Sequence, residues 1–141
     1  MRSLDNCPCS GNNLGKMLHP AILTVLAGGP LHGYRLLQSL AELRILRGER
    51  PDPAGVYRIL RSLEELGFAS GEWDLERPGP ARRVYRITDE GTLCLETWLD
   101  TLRDYRQSLD ELIAAVAASL GKMTRQEDRD TVPGRRGSSP R

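Results

Sequence analysis

The chain has 141 residues, 39 % hydrophobic and 28 % charged, which suits one domain with appendages and a core with few aromatics, since these make up only 5 %. No apolar run approaches the ~20 residues of a membrane-spanning helix, and the opening MRSLDNCPCSGNN lacks the apolar stretch of a secretory signal, so the expected location is the cytoplasm. A net charge of +1 excludes binding to a polyanion through bulk charge; any nucleic-acid contact must come from local clusters, because counterion release depends on the phosphates actually met.

Residues 1–13 are polar and turn-rich and read as an irregular arm. The arm carries Cys7-Pro8-Cys9. Two thiols one residue apart are candidates for a soft metal or a redox sensor. They do not complete a four-ligand zinc site, and only His19 suggests itself as a third ligand. Reduced thiols on an untethered arm are the simpler reading. Three cysteines, with Cys94 far from the other two, argue against a disulfide framework. No metal and no cofactor is assigned.

A first helix is expected over residues 14–27, with Pro20 near its start and Gly28-Gly29-Pro30 as its stop. A second runs over residues 32–46, where Tyr34, Leu36, Leu37, Leu40, Leu43 and Leu46 recur at helical spacing. His32 reads as its cap and Tyr34 as a core residue. The connector Arg47-Gly48-Glu49-Arg50-Pro51-Asp52-Pro53 is turn-forming. A third helix spans residues 53–66, capped by Asp52, opened by Pro53 and ended by Gly67. Val56, Leu60 and Leu63 give it a buried stripe at i, i+4, i+7.

Strands are expected over residues 68–73 and 82–87, the second alternating clearly, with Arg83, Tyr85 and Ile87 on one face. Between them the loop holds Arg77-Pro78-Gly79-Pro80. A long helix then begins at Thr88, with Asp89 and Glu90 favourable at its positive end. Leu95, Trp98, Leu102, Tyr105, Leu109, Leu112 and Val116 alternate steps of three and four. That period of about 3.5 is the seam of a coiled coil, so this helix is expected to pair with a second copy of the chain. Gly121 reads as its end and residues 122–141, rich in Gly, Ser, Pro and Arg, as a disordered basic tail. Cys94 is expected to pack on the long helix.

The fold class is therefore mainly α: a winged helix-turn-helix over residues 14–88, made of three helices and a two-stranded hairpin wing, then one dimerisation helix over residues 89–121. A helix with an exposed polar face fits the major groove of double-stranded DNA, and a hairpin beside it can rest on the backbone. On the third helix Gly55 permits close approach, Arg58 and Arg61 share a face at i, i+3, and Tyr57 and Ser62 lie beside them. Arg77, Arg82 and Arg83 lie on or beside the wing, and Arg77 to Arg86 holds four arginines and no acid. Those on the wing would position the protein on phosphates without reading sequence. Trp98 in the seam is an interface anchor and also a candidate stacking surface for a small hydrophobic effector. There is no P-loop, no GxSxG and no HExxH, so no enzyme is expected. A rival class on the residues alone is a winged-helix protein-interaction module that does not bind DNA sequence-specifically.

Pro20 to Gly91 resembles the PadR family of transcriptional regulators. The resemblance is carried by Pro30-Leu31-His32-Gly33-Tyr34, by Ala54-Gly55-Val56-Tyr57-Arg58-Ile59-Leu60 continuing through Arg61-Ser62-Leu63-Glu64-Glu65-Leu66-Gly67, and by Arg82-Arg83-Val84-Tyr85-Arg86-Ile87-Thr88-Asp89-Glu90-Gly91. One departure is Arg58, where many relatives carry proline. The resemblance implies a dimeric regulator, usually a repressor, of the shorter subgroup with a single C-terminal dimerisation helix. Some members of that family respond to small aromatic or drug-like effectors near the dimer interface, and the resemblance extends that expectation to this chain.

Overall fold

A computed structural model describes residues 17–43 and 51–131. Helix α1 (Leu18–Ala27) is followed by a two-residue strand β1 (Leu31–His32), then α2 (Gly33–Ala41), α3 (Pro53–Glu65), β2 (Ala69–Asp74), β3 (Arg82–Ile87) and α4 (Asp89–Thr131). Pro20 lies in the first turn of α1, where its missing N–H has no partner to lose. The start of α3 is capped as expected: Asp52 Oδ2 accepts from Gly55 N at 3.2 Å, and Pro53 follows it. The end of α3 is a Schellman motif. Gly67 takes φ +79°, its N–H reaches the Glu64 carbonyl at 3.0 Å, and Phe68 N–H reaches Leu63 at 2.8 Å.

The core forms where three helical stripes meet one face of the sheet. Ile22, Leu23 and Leu26 from α1, Leu36 and Leu40 from α2, and Val56, Leu60 and Leu63 from α3 are fully buried, with Ala69 and Tyr85 from the strands. Each of these large aliphatic side chains contributes roughly 1.5–3 kcal/mol through the apolar area it removes from water. Leu95, Trp98 and Cys94 at the start of α4 pack against this cluster from outside. Burial raises the Cys94 thiol above its ordinary pKa. Thr88 ties α4 to the end of α3: its Oγ1 accepts from Gly91 N at 3.0 Å and donates to the Gly67 carbonyl at 2.6 Å.

Four expectations are corrected. The two-stranded wing is present as β2 and β3, but β1 adds an unexpected third antiparallel strand in the order β1-β3-β2, with Leu31 opposite Tyr85 and His32 opposite Val84. A two-residue strand carries no alternation, so nothing in its sequence announces it; it exists because it closes the free edge of β3. His32 occupies the N-cap position of α2, but its side chain does not cap the helix. Tyr34 is 61 % exposed rather than in the core, since it lies off the Gly33, Leu36, Leu40 stripe. Finally, α4 does not stop at Gly121 but runs to Thr131. A single glycine costs only about 1 kcal/mol in a helix, residues 122–131 are compatible with one, and Gln126 donates to Asp130 at i, i+4.

Residues 100–131 make up a second unit, a helix with exposed apolar side chains along it. Among the described residues no helix is long and apolar enough to cross a membrane. The helix expected to reach residue 46 ends at Ala41, with Glu42 as its C-cap; the Cys7-Pro8-Cys9 arm, the first residues expected in α1, residues 44–46 and the tail from residue 132 lie outside the described residues.

Candidate nucleic-acid interface

The stripe that buries Val56, Leu60 and Leu63 turns the opposite side of α3 outward. Arg58, Arg61 and Ser62 are exposed there, with Gly55 half-buried one turn earlier. Arg58 and Arg61 make no ion pair with any described residue, so both guanidinium groups are available to an outside acceptor.

Tyr57 sits between the two roles that its sequence position allowed. It is 43 % exposed, yet its ring leans on the start of α2. A Cβ at Gly33 would collide with the Tyr57 hydroxyl and ring, so the glycine is what lets the ring lie there. Beside it opens a cleft of about 400 Å3 lined by His32, Tyr34, Arg35, Tyr57, Arg82 and Tyr85, among others. It brings the first turn of α2, the middle of α3 and the base of the wing to one place. Arg35 was not singled out in the sequence, and Tyr34 was read there as a core residue. The signal was present: both stand off the buried stripe of α2 next to its N-terminus, where partial positive charge favours an anion.

The wing arginines divide. Arg82 is exposed and makes no ion pair with described residues. Arg77 is 71 % exposed at its side chain and lies 3.7 Å from Asp74 Oδ2. The same carboxylate oxygen stands 3.4 Å from His32 Nε2, and Asp74 Oδ1 accepts from Glu76 N at 3.2 Å, so Asp74 fastens the base of the loop to β1. Arg83 is different. Its Nη2 donates to Glu64 Oε2 at 2.6 Å and to the Gly71 carbonyl at 3.4 Å. Although grouped with Arg82 as a backbone contact, it reaches across to α3 and pairs with Glu64, while its side chain stays 37 % exposed and lines the same cleft. Burial raises the Tyr85 hydroxyl above its ordinary pKa, and the positive charge of Arg83 opposes that rise.

The seam residues divide as well. Leu95 and Trp98 point into the winged domain's own core. Trp98 Nε1 donates to His19 Nδ1 at 3.2 Å, with ring centroids 5.7 Å apart. Burial lowers the His19 pKa from its ordinary value. Leu102 is half-buried, whereas Tyr105, Leu109, Leu112 and Val116 are all at least half exposed.

A scan against family models matches residues 22–97, more than half of the chain, to the transcriptional regulator PadR-like family. The chain belongs to that family. It is a PadR-like transcriptional regulator, not an enzyme. A search of curated proteins finds no match. Among solved structures, the chain is similar to a protein from Thermoplasma acidophilum described as a transcriptional regulator, with 29 % identity, TM-score 0.61, and 72 % of this chain and 94 % of that one covered. It is similar to a conserved protein described as a potential transcriptional factor, with 34 % identity, TM-score 0.61, and coverage of 78 % and 96 %. It also resembles PadR of Bacillus subtilis, solved in complex with operator DNA, with 26 % identity, TM-score 0.52, and coverage of 59 % and 46 %. In this winged-helix fold β2 and β3 form the wing, and α3 precedes it.

Proposed function

We propose that this PadR-like regulator represses transcription by binding a pseudo-palindromic operator as a homodimer. The observation that carries the proposal is the outward face of α3. Arg58 and Arg61 stand there unpaired by described residues, and Tyr57 and the free Arg82 border one cleft at the base of the wing. The operator complex of the Bacillus subtilis relative supports DNA as the partner. In each subunit α3 enters a major groove and reads base edges with Arg58, Arg61 and Ser62, while Arg82 and Arg77 hold neighbouring phosphates. Gly55 lets the start of α3 approach the groove closely.

Homodimerisation is supported by the exposed apolar side chains of α4. Tyr105, Leu109, Leu112 and Val116 keep the three-four spacing, and Ile113, Leu120 and Met123 widen the stripe. Such a face on a lone helix in water is unfavourable, and a second copy covers it. On a pseudo-palindromic operator the two half-sites lie one helical turn, about 34–36 Å, apart. A hydrophobic effector that stacks on Trp98 changes the surroundings of that ring, so release of the operator by such a compound is accompanied by a change in indole emission.

The proposal is tested by mobility shift with Arg61→Ala and Arg82→Ala. Both weaken binding. Loss at Arg61 relaxes sequence preference by about 1–3 kcal/mol, and loss at Arg82 lowers the slope of log affinity against log salt by about 0.9. Unchanged affinity in both variants removes the assigned DNA face. A monomeric protein with no salt-dependent DNA binding identifies a protein-interaction module instead.

A further inference from the structure

The side chain of Arg83 lies in a slot that is open on one side, so that 37 % of it is exposed. Along β3, Arg83 and Tyr85 point to the same side of the sheet, and across the ladder Gly71 pairs with Tyr85 and Trp73 with Arg83. The guanidinium carbon stands 6.0 Å from the Trp73 ring centroid and 5.8 Å from that of Tyr85, at the reach of cation–π attraction. Gly71 keeps the slot open, because a Cβ there would run into the guanidinium. The far end of the slot is Glu64, the penultimate residue of α3, bonded at 2.6 Å. The Nε atom is shut off from solvent and has no partner among the described residues. To reach a phosphate, this side chain would have to leave two aromatic faces and strand a carboxylate on the recognition helix, beside a polyanion.

We infer that Arg83 is a positioning residue, not a DNA contact: with Glu64 it braces the wing against α3 and so fixes the distance between the groove-reading arginines of the helix and Arg82 on the wing. The inference rests on the DNA-binding reading proposed above. Arginine is the residue type this requires, since its planar, permanently charged group both stacks on rings and bonds a carboxylate. The pair has a second effect. It masks the Glu64 charge, which otherwise repels the backbone that α3 approaches. Glu65, next along the chain, is exposed and has no such partner among the described residues, so the masking is particular to Glu64.

The experiment compares Glu64→Ala, Arg83→Ala, the double variant and Arg82→Ala in the full-length protein. It measures affinity for a selected operator and for a random duplex across a salt series, together with thermal midpoints. The brace predicts that Glu64→Ala weakens operator binding by about tenfold, as contacting groups with ordinary coupling do, although the variant has lost a charge that repels DNA. It predicts that Arg83→Ala loses less salt slope than Arg82→Ala, that its random-duplex affinity moves less than its operator affinity, and that the double variant is no weaker than either single one. Arg82→Ala loses about 0.9 of slope in the same series. The inference is overturned if Arg83→Ala lowers the slope as Arg82→Ala does, or if Glu64→Ala tightens binding. It is equally overturned if Glu64→Ala lowers the thermal midpoint while leaving operator affinity of the folded protein untouched, since the pair would then only stabilise. Should Arg83→Ala fail to fold, the sign of the Glu64→Ala effect decides alone. If Arg82→Ala leaves the slope intact, the DNA face itself is misassigned and the brace falls with it; if only the Glu64 and Arg83 variants are silent, the brace alone fails.

Discussion

Replacing Gly91 with alanine sets two forces of opposite sign against each other. Gly91 is a buried residue in the first turn of α4, where glycine is a poor helix former, so alanine alone would stabilise by about 0.5–1 kcal/mol. The new Cβ, however, would lie 2.9 Å from the Phe68 carbonyl carbon and closer still to its oxygen, with Ile87 Cγ1 at 2.8 Å. Those first two atoms are backbone. The Phe68 carbonyl is held by Thr88 N–H at 3.1 Å and cannot swing aside. Overpacking of this kind costs about 1–3 kcal/mol when side chains can adjust, and here the upper end applies. The net effect is a loss of about 2 kcal/mol, which lowers the thermal midpoint by roughly 10 °C in a domain of this size. Gly121→Ala is the control. A Cβ there meets only Arg125 Nη2 at 3.7 Å, so the propensity term acts alone and the variant gains about 0.5–1 kcal/mol. Both are read by circular dichroism melts at one protein concentration, since association shifts midpoints. A Gly91→Ala protein that melts at or above the parent would refute the close-packing argument.

Two further outcomes are expected. Burial lowers the folded pKa of His19 below the unfolded value of about 6.5, and its Nδ1 accepts the indole N–H of Trp98. The unfolded chain therefore takes up the proton first, and the contribution of this contact, complete above that value, is lost as pH falls toward the folded pKa. Midpoints measured at about pH 7.5 and pH 5.5 should fall further in the parent than in His19→Gln; equal falls would mean that the contact does not titrate. On α4, Leu112→Glu places a charge in the exposed apolar stripe and is expected to convert a homodimer to monomer in light scattering, with operator affinity falling at low protein concentration. A dimer that survives Leu112→Glu together with Leu109→Glu would move the interface elsewhere.

The amino-acid sequence by itself determined the elements whose signal is local. Asp52-Pro53 and Gly67 delimit α3 because a cap, a preset φ and a left-handed residue act within one turn. The bounds of β3 follow from its alternation, and the three-four spacing of α4 marks its apolar stripe before any partner is known. What a face meets is another matter, because the answer belongs to a residue far away in the chain. Leu31–His32 become a strand only because β3 has a free edge fifty residues on. Arg82 and Arg83 are neighbours of identical chemistry, yet the pleat sends one outward and the other onto Glu64, nineteen positions back. Leu95 and Trp98 belong to the same repeat as Leu109 and Leu112, but the first two are claimed by the core and by His19, seventy-nine positions from Trp98. Spacing fixes which side chains share a side of an element; only the packing of elements decides which of those sides is covered, and therefore which arginines and which leucines remain free to bind.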